Sequence, residues 1–104
     1  MNLLTLARDL QRRKARERQQ AFVAEGVRTV EELVRSPLRI RGALVSPRLG
    51  ETERGTTLRE ALASRTSTVV EIAEREFESA STTESPQGVL AVAELPRHDL
   101  ARLE

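Results

Sequence analysis

The sequence predicts an α/β domain, a three-layer α/β/α sandwich on a mixed sheet of about four strands. Two observations predict it. Short apolar, β-branched runs alternate along the chain with stretches of helical periodicity. Those runs are apolar almost throughout instead of alternating with polar residues, which favours a sheet covered by helices on both faces. The length agrees, since 104 residues suffice for one domain and not for two. With 38% apolar and 32% charged residues, a single core under a heavily charged surface is expected.

Leu3, Leu6, Ala7 and Leu10 fall at i, i+3, i+4 and i+7, the apolar stripe of an amphipathic helix. From Gln11 to Gln20 the one apolar residue is Ala15, so this basic stretch is either a helix projecting past the core or a loop; in both cases its arginines stay wet. Ala21 to Ala24 reads as a buried strand ended by Glu25-Gly26. Val27, Val30 and Val34 then recur at helical spacing, and that helix stops near Ser36, because Pro37 disfavours helical geometry in the residue before it. Ile40 to Val45 is a second strand. Ser46 to Thr56 holds Pro47, Gly50, Gly55 and four charges, and reads as an exposed loop. Thr57 and Glu60 have capping-box spacing and predict the start of a helix carrying Leu58, Ala61 and Leu62. Thr68 to Ile72 is a β-branched third strand, Ala73 to Ala80 a short helix burying Phe77, and Ser81 to Ser85 a polar loop. Pro86-Gln87-Gly88 turns the chain into a last strand, Val89 to Ala93. Residues 1–96 thus form the domain, with 1–20 as a basic extension, and 97–104 read as the start of a linker.

Several function classes are excluded by what is missing. No apolar run approaches the roughly 18 residues that span a bilayer, and Met1 to Leu10 lacks the features of a secretory signal. No cysteine is present, which removes disulfides, thiol catalysis and cysteine-ligated zinc; a cytoplasmic protein is expected. His98, the one histidine, lies beside Asp99 in the tail with neither a pocket nor a nucleophile. There is no Gly-x-Ser-x-Gly elbow, no P-loop, no Gly-x-Gly-x-x-Gly and no EF-hand loop. No catalytic, cofactor-binding or metal-binding residues are expected in this segment.

Charge points elsewhere. The net charge of +1 divides into +4 on residues 1–20 and −3 on the remainder. Arg12, Arg13, Lys14, Arg16 and Arg18 are therefore candidate phosphate contacts, since a guanidinium forks onto phosphate oxygens and local cationic surface attracts nucleic acid. Both aromatics, Phe22 and Phe77, are expected in the core, which argues against a sheet that stacks bases on exposed rings. A second class stays open: a protein-docking module using the acidic remainder of the surface or the stripe of Leu3, Leu6 and Leu10.

Two stretches carry a family resemblance. Lys14-Ala15-Arg16-Glu17-Arg18-Gln19-Gln20-Ala21-Phe22-Val23-Ala24-Glu25-Gly26 resembles the opening of the SpoU/TrmH RNA methyltransferases, and Thr83-Glu84-Ser85-Pro86-Gln87-Gly88 resembles the segment that closes their N-terminal domain. The resemblance implies a fold similar to small kink-turn-binding ribosomal proteins and a role in recruiting structured RNA, chiefly ribosomal. It implies that ribose 2′-O-methylation, S-adenosylmethionine binding and homodimerisation belong to a C-terminal knotted catalytic domain of the SPOUT class, beyond this segment. It also adds Gln87, whose amide could reach RNA, to the candidate contacts.

Overall fold

Each predicted run becomes an element, with bounds set by caps that the pattern alone does not reveal. The structure, a computed structural model, describes residues 2–96; the proposed linker and His98 lie outside the described residues. Helix α1 (Leu3–Asp9) is opened by Asn2, whose side-chain oxygen accepts the Thr5 N–H at 2.8 Å. The chain turns through Leu10–Arg12 into a second helix, α2 (Arg13–Gln19), so the basic stretch is a helix of its own, fixed to the core through buried Ala15. Strand β1 (Ala21–Glu25), helix α3 (Val27–Arg35) and strand β2 (Ile40–Val45) follow. A 3-10 turn (Pro47–Glu51), helix α4 (Glu53–Arg65), strand β3 (Val69–Glu71), helix α5 (Glu74–Ala80) and strand β4 (Val89–Glu94) complete the order.

The sheet runs β1-β4-β2-β3, with β4 antiparallel to both neighbours and β3 parallel to β2. The last strand in sequence is thus an inner strand, which is why its sequence is solidly apolar: every residue from Val89 to Ala93 is fully buried. Val89, Ala91 and Ala93 pack with Val30, Leu33, Leu58 and Leu62 of α3 and α4. Leu90 and Val92 pack on the other face with Ala7, Ala15, Phe77 and Ala80 of α1, α2 and α5. This is the three-layer α/β/α sandwich with a mixed four-stranded sheet. The leucine stripe of α1 faces inward too, with Leu10 buried and Leu3 and Leu6 packed on that second cluster; it is part of the core and not a docking face.

Three expectations are corrected. Ser46 to Thr56 is not an exposed loop: Ser46 and Leu49 are buried, and α4 begins four residues before Thr57, capped by Thr52, whose hydroxyl oxygen accepts the Gly55 N–H at 3.0 Å. Gly55 permits this because a Cβ there would stand 2.0 Å from the Leu49 carbonyl oxygen; Thr57 and Glu60 are exposed positions within the helix. Second, cover is incomplete at the β3 edge, where Val70 is 40% exposed. Third, Phe77 is buried as expected but Phe22 is only half-buried, since β1 is the other edge strand.

The two signature stretches meet at the end of β1. Glu25 accepts hydrogen bonds from the Ser81 hydroxyl and, at 3.0 Å, from the Thr82 N–H. Helix α3 has Gly26 at its N-cap and so no capping side chain of its own. Gln87 supplies the missing acceptor: its Oε1 takes the Val27 N–H at 2.7 Å. The Gly26 N–H donates to the Val89 carbonyl at 3.1 Å, extending the β1–β4 ladder. Gly88 has φ +85°, and a Cβ there would lie 2.7 Å from both the Leu49 nitrogen and Ser46 Oγ. Gly88→Ala is therefore expected to destabilise the domain by about 2 kcal/mol or more, because left-handed strain and the clash add. Gln87→Ala is expected to cost about 1 kcal/mol, the value of a helix cap. Urea unfolding of both variants tests this, and an unchanged midpoint for Gly88→Ala would contradict the packing described.

Two carboxylates, one joining α3 to α4 and one joining α5 to the 3-10 turn, have pKa values lowered from the ordinary 4.5. Glu31 is lowered by the side-chain hydrogen bonds of Arg54, whose guanidinium donates to it at 2.6 and 2.9 Å. Glu74 is lowered first by the nearby Ser46 hydroxyl and then by the Arg48 N–H at 2.9 Å, against the opposing effect of burial. Ser46 Oγ and Glu74 Oε2 are both buried and have no hydrogen-bond partner among the described residues. A depressed folded pKa stabilises the fold above the unfolded value and loses that contribution as pH falls through the folded one. Stability is therefore expected to hold above about pH 4.5 and to decline below it, with a shallower decline in Glu31→Gln/Glu74→Gln. Urea midpoints across pH 3 to 7 measure it; an identical acid slope in that variant would remove these two groups as its cause.

Candidate nucleic-acid interface

Helix α2 forms because Arg, Lys, Glu and Gln are good helix formers, and its end is held from outside. Its last turn carries Arg16 and Arg18, which complement the helix dipole. Gln20 ends it in the left-handed conformation at φ 53°, and Arg41 on β2 donates from Nη2 to the Gln19 carbonyl at 2.8 Å. The Leu95 N–H donates to the Gln20 carbonyl at 2.9 Å, so the chain leaving β4 passes the point where α2 enters β1.

Five of the six sequence candidates come together on this short helix and its cap. Arg12 and Lys14 are exposed, and their side chains have no hydrogen-bond or ion-pair partner among the described residues. Arg13, its side chain 85% exposed, stands 3.3 Å from Glu17 one turn on. Arg18 stands 3.7 Å from Asp9 of α1. Exposed pairs of this kind are worth little and exchange readily for a phosphate. Arg16 is different. It is half-buried, and its Nη1 donates to the Leu10 carbonyl at 2.9 Å and to that of Gln11 at 3.1 Å, filling the acceptors at the turn between α1 and α2. Gln87 lies at the opposite end of β1, roughly 15 Å away along a five-residue strand, with its carbonyl oxygen on Val27.

Sequence reasoning missed three features. Arg41 interrupts an apolar strand and gives no sign that it caps α2 and pairs with Glu94 at 3.4 Å. A cleft of about 320 Å³ beside the N-terminus of α3 is lined by Arg28, Thr29, Thr82, Thr83, Ser85 and Gln87, and only the loop composition hinted at its hydroxyls. A second cleft, of about 310 Å³, runs between α2 and β1 over Arg13, Arg16, Glu17, Ala21, Phe22 and Leu95. Among the described residues, the buried side-chain polar atoms without a partner are Gln20 Oε1, Ser46 Oγ and Glu74 Oε2, and none of those residues lines either cleft. No cluster of three or more potential metal ligands occurs among the described residues, and no described helix is long and apolar enough to cross a membrane.

The family model of the MRM3-like substrate binding domain matches residues 5–91. No curated protein sequence matches the chain. Among solved structures, an RNA 2′-O ribose methyltransferase is 26% identical with a TM-score of 0.74, over 89% of this chain and 34% of that one. The SpoU methyltransferase AviRb from Streptomyces viridochromogenes, solved with the cofactor AdoMet, is 28% identical with a TM-score of 0.73, over 100% of this chain and 39% of that one. An AdoMet-bound rRNA methyltransferase from Sinorhizobium meliloti, 20% identical with a TM-score of 0.68 over 90% of this chain and 33% of its own, shares the fold. The chain thus spans about a third of the length of these structures, matching the N-terminal region of SpoU/TrmH RNA 2′-O-methyltransferases. On its fold, its two interlocked signature stretches and the match over residues 5–91, the chain belongs to the MRM3-like substrate-binding domain family.

Proposed function

We propose that this domain recruits structured RNA, chiefly ribosomal RNA, for a cytoplasmic SpoU-type 2′-O-ribose methyltransferase, and that α2 is its principal phosphate-binding surface. One observation carries the reading. In a domain of a substrate-binding family, four of the five cations from Arg12 to Arg18 stand on an exposed helix, free or in weak surface pairs. Methyl transfer from S-adenosylmethionine and dimerisation belong, on this reading, to a SPOUT catalytic domain joined through residues 97–104. The chemistry of this domain is grip and orientation: guanidinium and ammonium groups neutralise backbone phosphates and release counterions, while the sandwich fixes the angle at which the RNA is held.

The six candidates then divide by role. Arg12, Arg13, Lys14 and Arg18 are the phosphate contacts. Arg16 sets the angle between α1 and α2 through the Leu10 and Gln11 carbonyls, and it contributes to binding through α2. Gln87 offers RNA only its remaining amide N–H groups, since its oxygen caps α3.

Titration of a structured ribosomal RNA fragment at several salt concentrations tests this. Arg12→Ala/Lys14→Ala is expected to weaken binding without moving the urea midpoint, and to reduce the log–log salt slope by about 0.7 to 0.9 for each phosphate no longer neutralised. Arg16→Ala is expected to lower stability by about 1 kcal/mol, the scale of a partly solvated hydrogen bond from a charged donor. Unchanged affinity in the double variant at low salt would move the RNA surface off α2. A salt-insensitive interaction would favour protein docking instead.

A further inference from the structure

The cleft between α2 and β1 combines Arg13, one of the phosphate contacts, with groups that simple phosphate binding does not use. Its floor is apolar, formed by Ala21 and half-buried Phe22 on an edge strand together with Leu95. Arg13 and Arg16 stand along it, and Glu17 places a carboxylate on the same helix, 66% exposed and, among the described residues, engaged only by the exposed Arg13 at 3.3 Å. A helix whose work was phosphate contact alone would gain from a neutral or cationic residue at position 17.

We propose that this cleft holds one unpaired guanine of the bound RNA. The proposal rests on the RNA-binding reading above and names what that surface recognises. Single-stranded and bulged positions are where RNA sequence is read, with bases laid on apolar or aromatic surface or on guanidinium planes. The chemistry of the cleft follows that pattern: an apolar floor takes the base, a flat guanidinium covers it, and a carboxylate accepts from its edge. Guanine presents two adjacent donors, N1–H and the N2 amino group, which one carboxylate accepts together. Adenine and cytosine place a ring acceptor beside their amino group, and uracil flanks its N3–H with carbonyls, so each sets at least one oxygen or ring nitrogen against Glu17.

The cleft is preformed. Arg16 is held by the Leu10 and Gln11 carbonyls, and Leu95 is fixed by its N–H on the Gln20 carbonyl. The neighbouring cations Arg12, Lys14 and Arg18 lie on the same helix or its cap, where they meet the phosphates on either side of an extruded nucleotide. Only the Arg13–Glu17 pair must open, and both partners are largely in water already.

The test compares one RNA hairpin in three forms, with a single bulged guanosine, with a bulged uridine and without a bulge, by fluorescence anisotropy. The guanosine form is expected to bind about five- to tenfold tighter than the other two, the lower end of what a bidentate base contact discriminates. Glu17→Gln, a surface change that leaves the core untouched, is expected to abolish the preference without weakening binding of the unbulged hairpin, since Arg13 loses its carboxylate partner and becomes free for phosphate. Equal binding of all three hairpins would overturn the base site and leave the RNA reading standing. A guanosine preference that survives Glu17→Gln would overturn the assignment of that carboxylate and with it the site. No binding of any hairpin at low salt would remove both readings.

Discussion

The rest of the structure depends on the joint between two loops that lie far apart in sequence. Glu25 holds Ser81 and Thr82 while Gln87 caps α3, and the Gly26 N–H meets Val89 between them. That joint fixes where β4 begins. Because side chains alternate along a strand, a slip of one residue there would turn Leu90 and Val92 toward α3 and α4, and Val89 and Ala91 toward α1 and α5. The polar contacts at the end of β1 thus settle the packing of both apolar layers. They also give a physical reason for the residue types in the two signature stretches. A carboxylate is needed to accept from a hydroxyl and an amide, a side-chain amide to cap a helix that starts on glycine, and a glycine at 88 to fit against Ser46 and Leu49.

The basic helix is anchored by very little apolar surface, and its placement relies on polar contacts at both ends. Ala15 is its one buried residue. Arg16 ties it back to the Leu10 and Gln11 carbonyls of the turn after α1, and Arg41 reaches across from β2 to the Gln19 carbonyl at its end. A cation-rich helix cannot be held by burying its own charges, since desolvation would oppose it. It is held by guanidinium groups that satisfy backbone carbonyls, which leaves the remaining cations in solvent.

Most of the fold was legible in the sequence because it rests on local pattern. The strands at Ala21–Glu25, Ile40–Val45 and Val89–Glu94 were visible as apolar runs, and Phe77 as the buried member of a short helix. What was not legible depends on partners distant in sequence. Gly55 and Thr52 read as loop residues, and only the buried Leu49 beneath them shows that they start a helix. Phe22 reads as core until the strand order places β1 at an edge. For the candidate site, the cluster from Arg12 to Arg18 was found from charge alone, but the distinct role of Arg16 was not, because its partners are carbonyls presented by a turn. Gln87 was assigned outward for the same reason, its partner being Val27, sixty positions away.

The central place of β4 has a consequence for how the chain acquires its structure. β1 and β2 do not touch each other; β4 alone bridges them. A polypeptide growing from its N-terminus can pair β3 with β2 but leaves β1, and the basic helix leading into it, without a strand partner until Val89–Glu94 has been made. Sheet completion is then a single insertion between two preexisting edges, a pairing of high sequence separation that slows folding. Until it occurs, the apolar faces that will receive β4 are open to solvent and to other chains, the condition in which unpaired edges associate wrongly. The domain is thus cooperative in time as well as in energy, and its basic helix is fixed only when the last strand arrives.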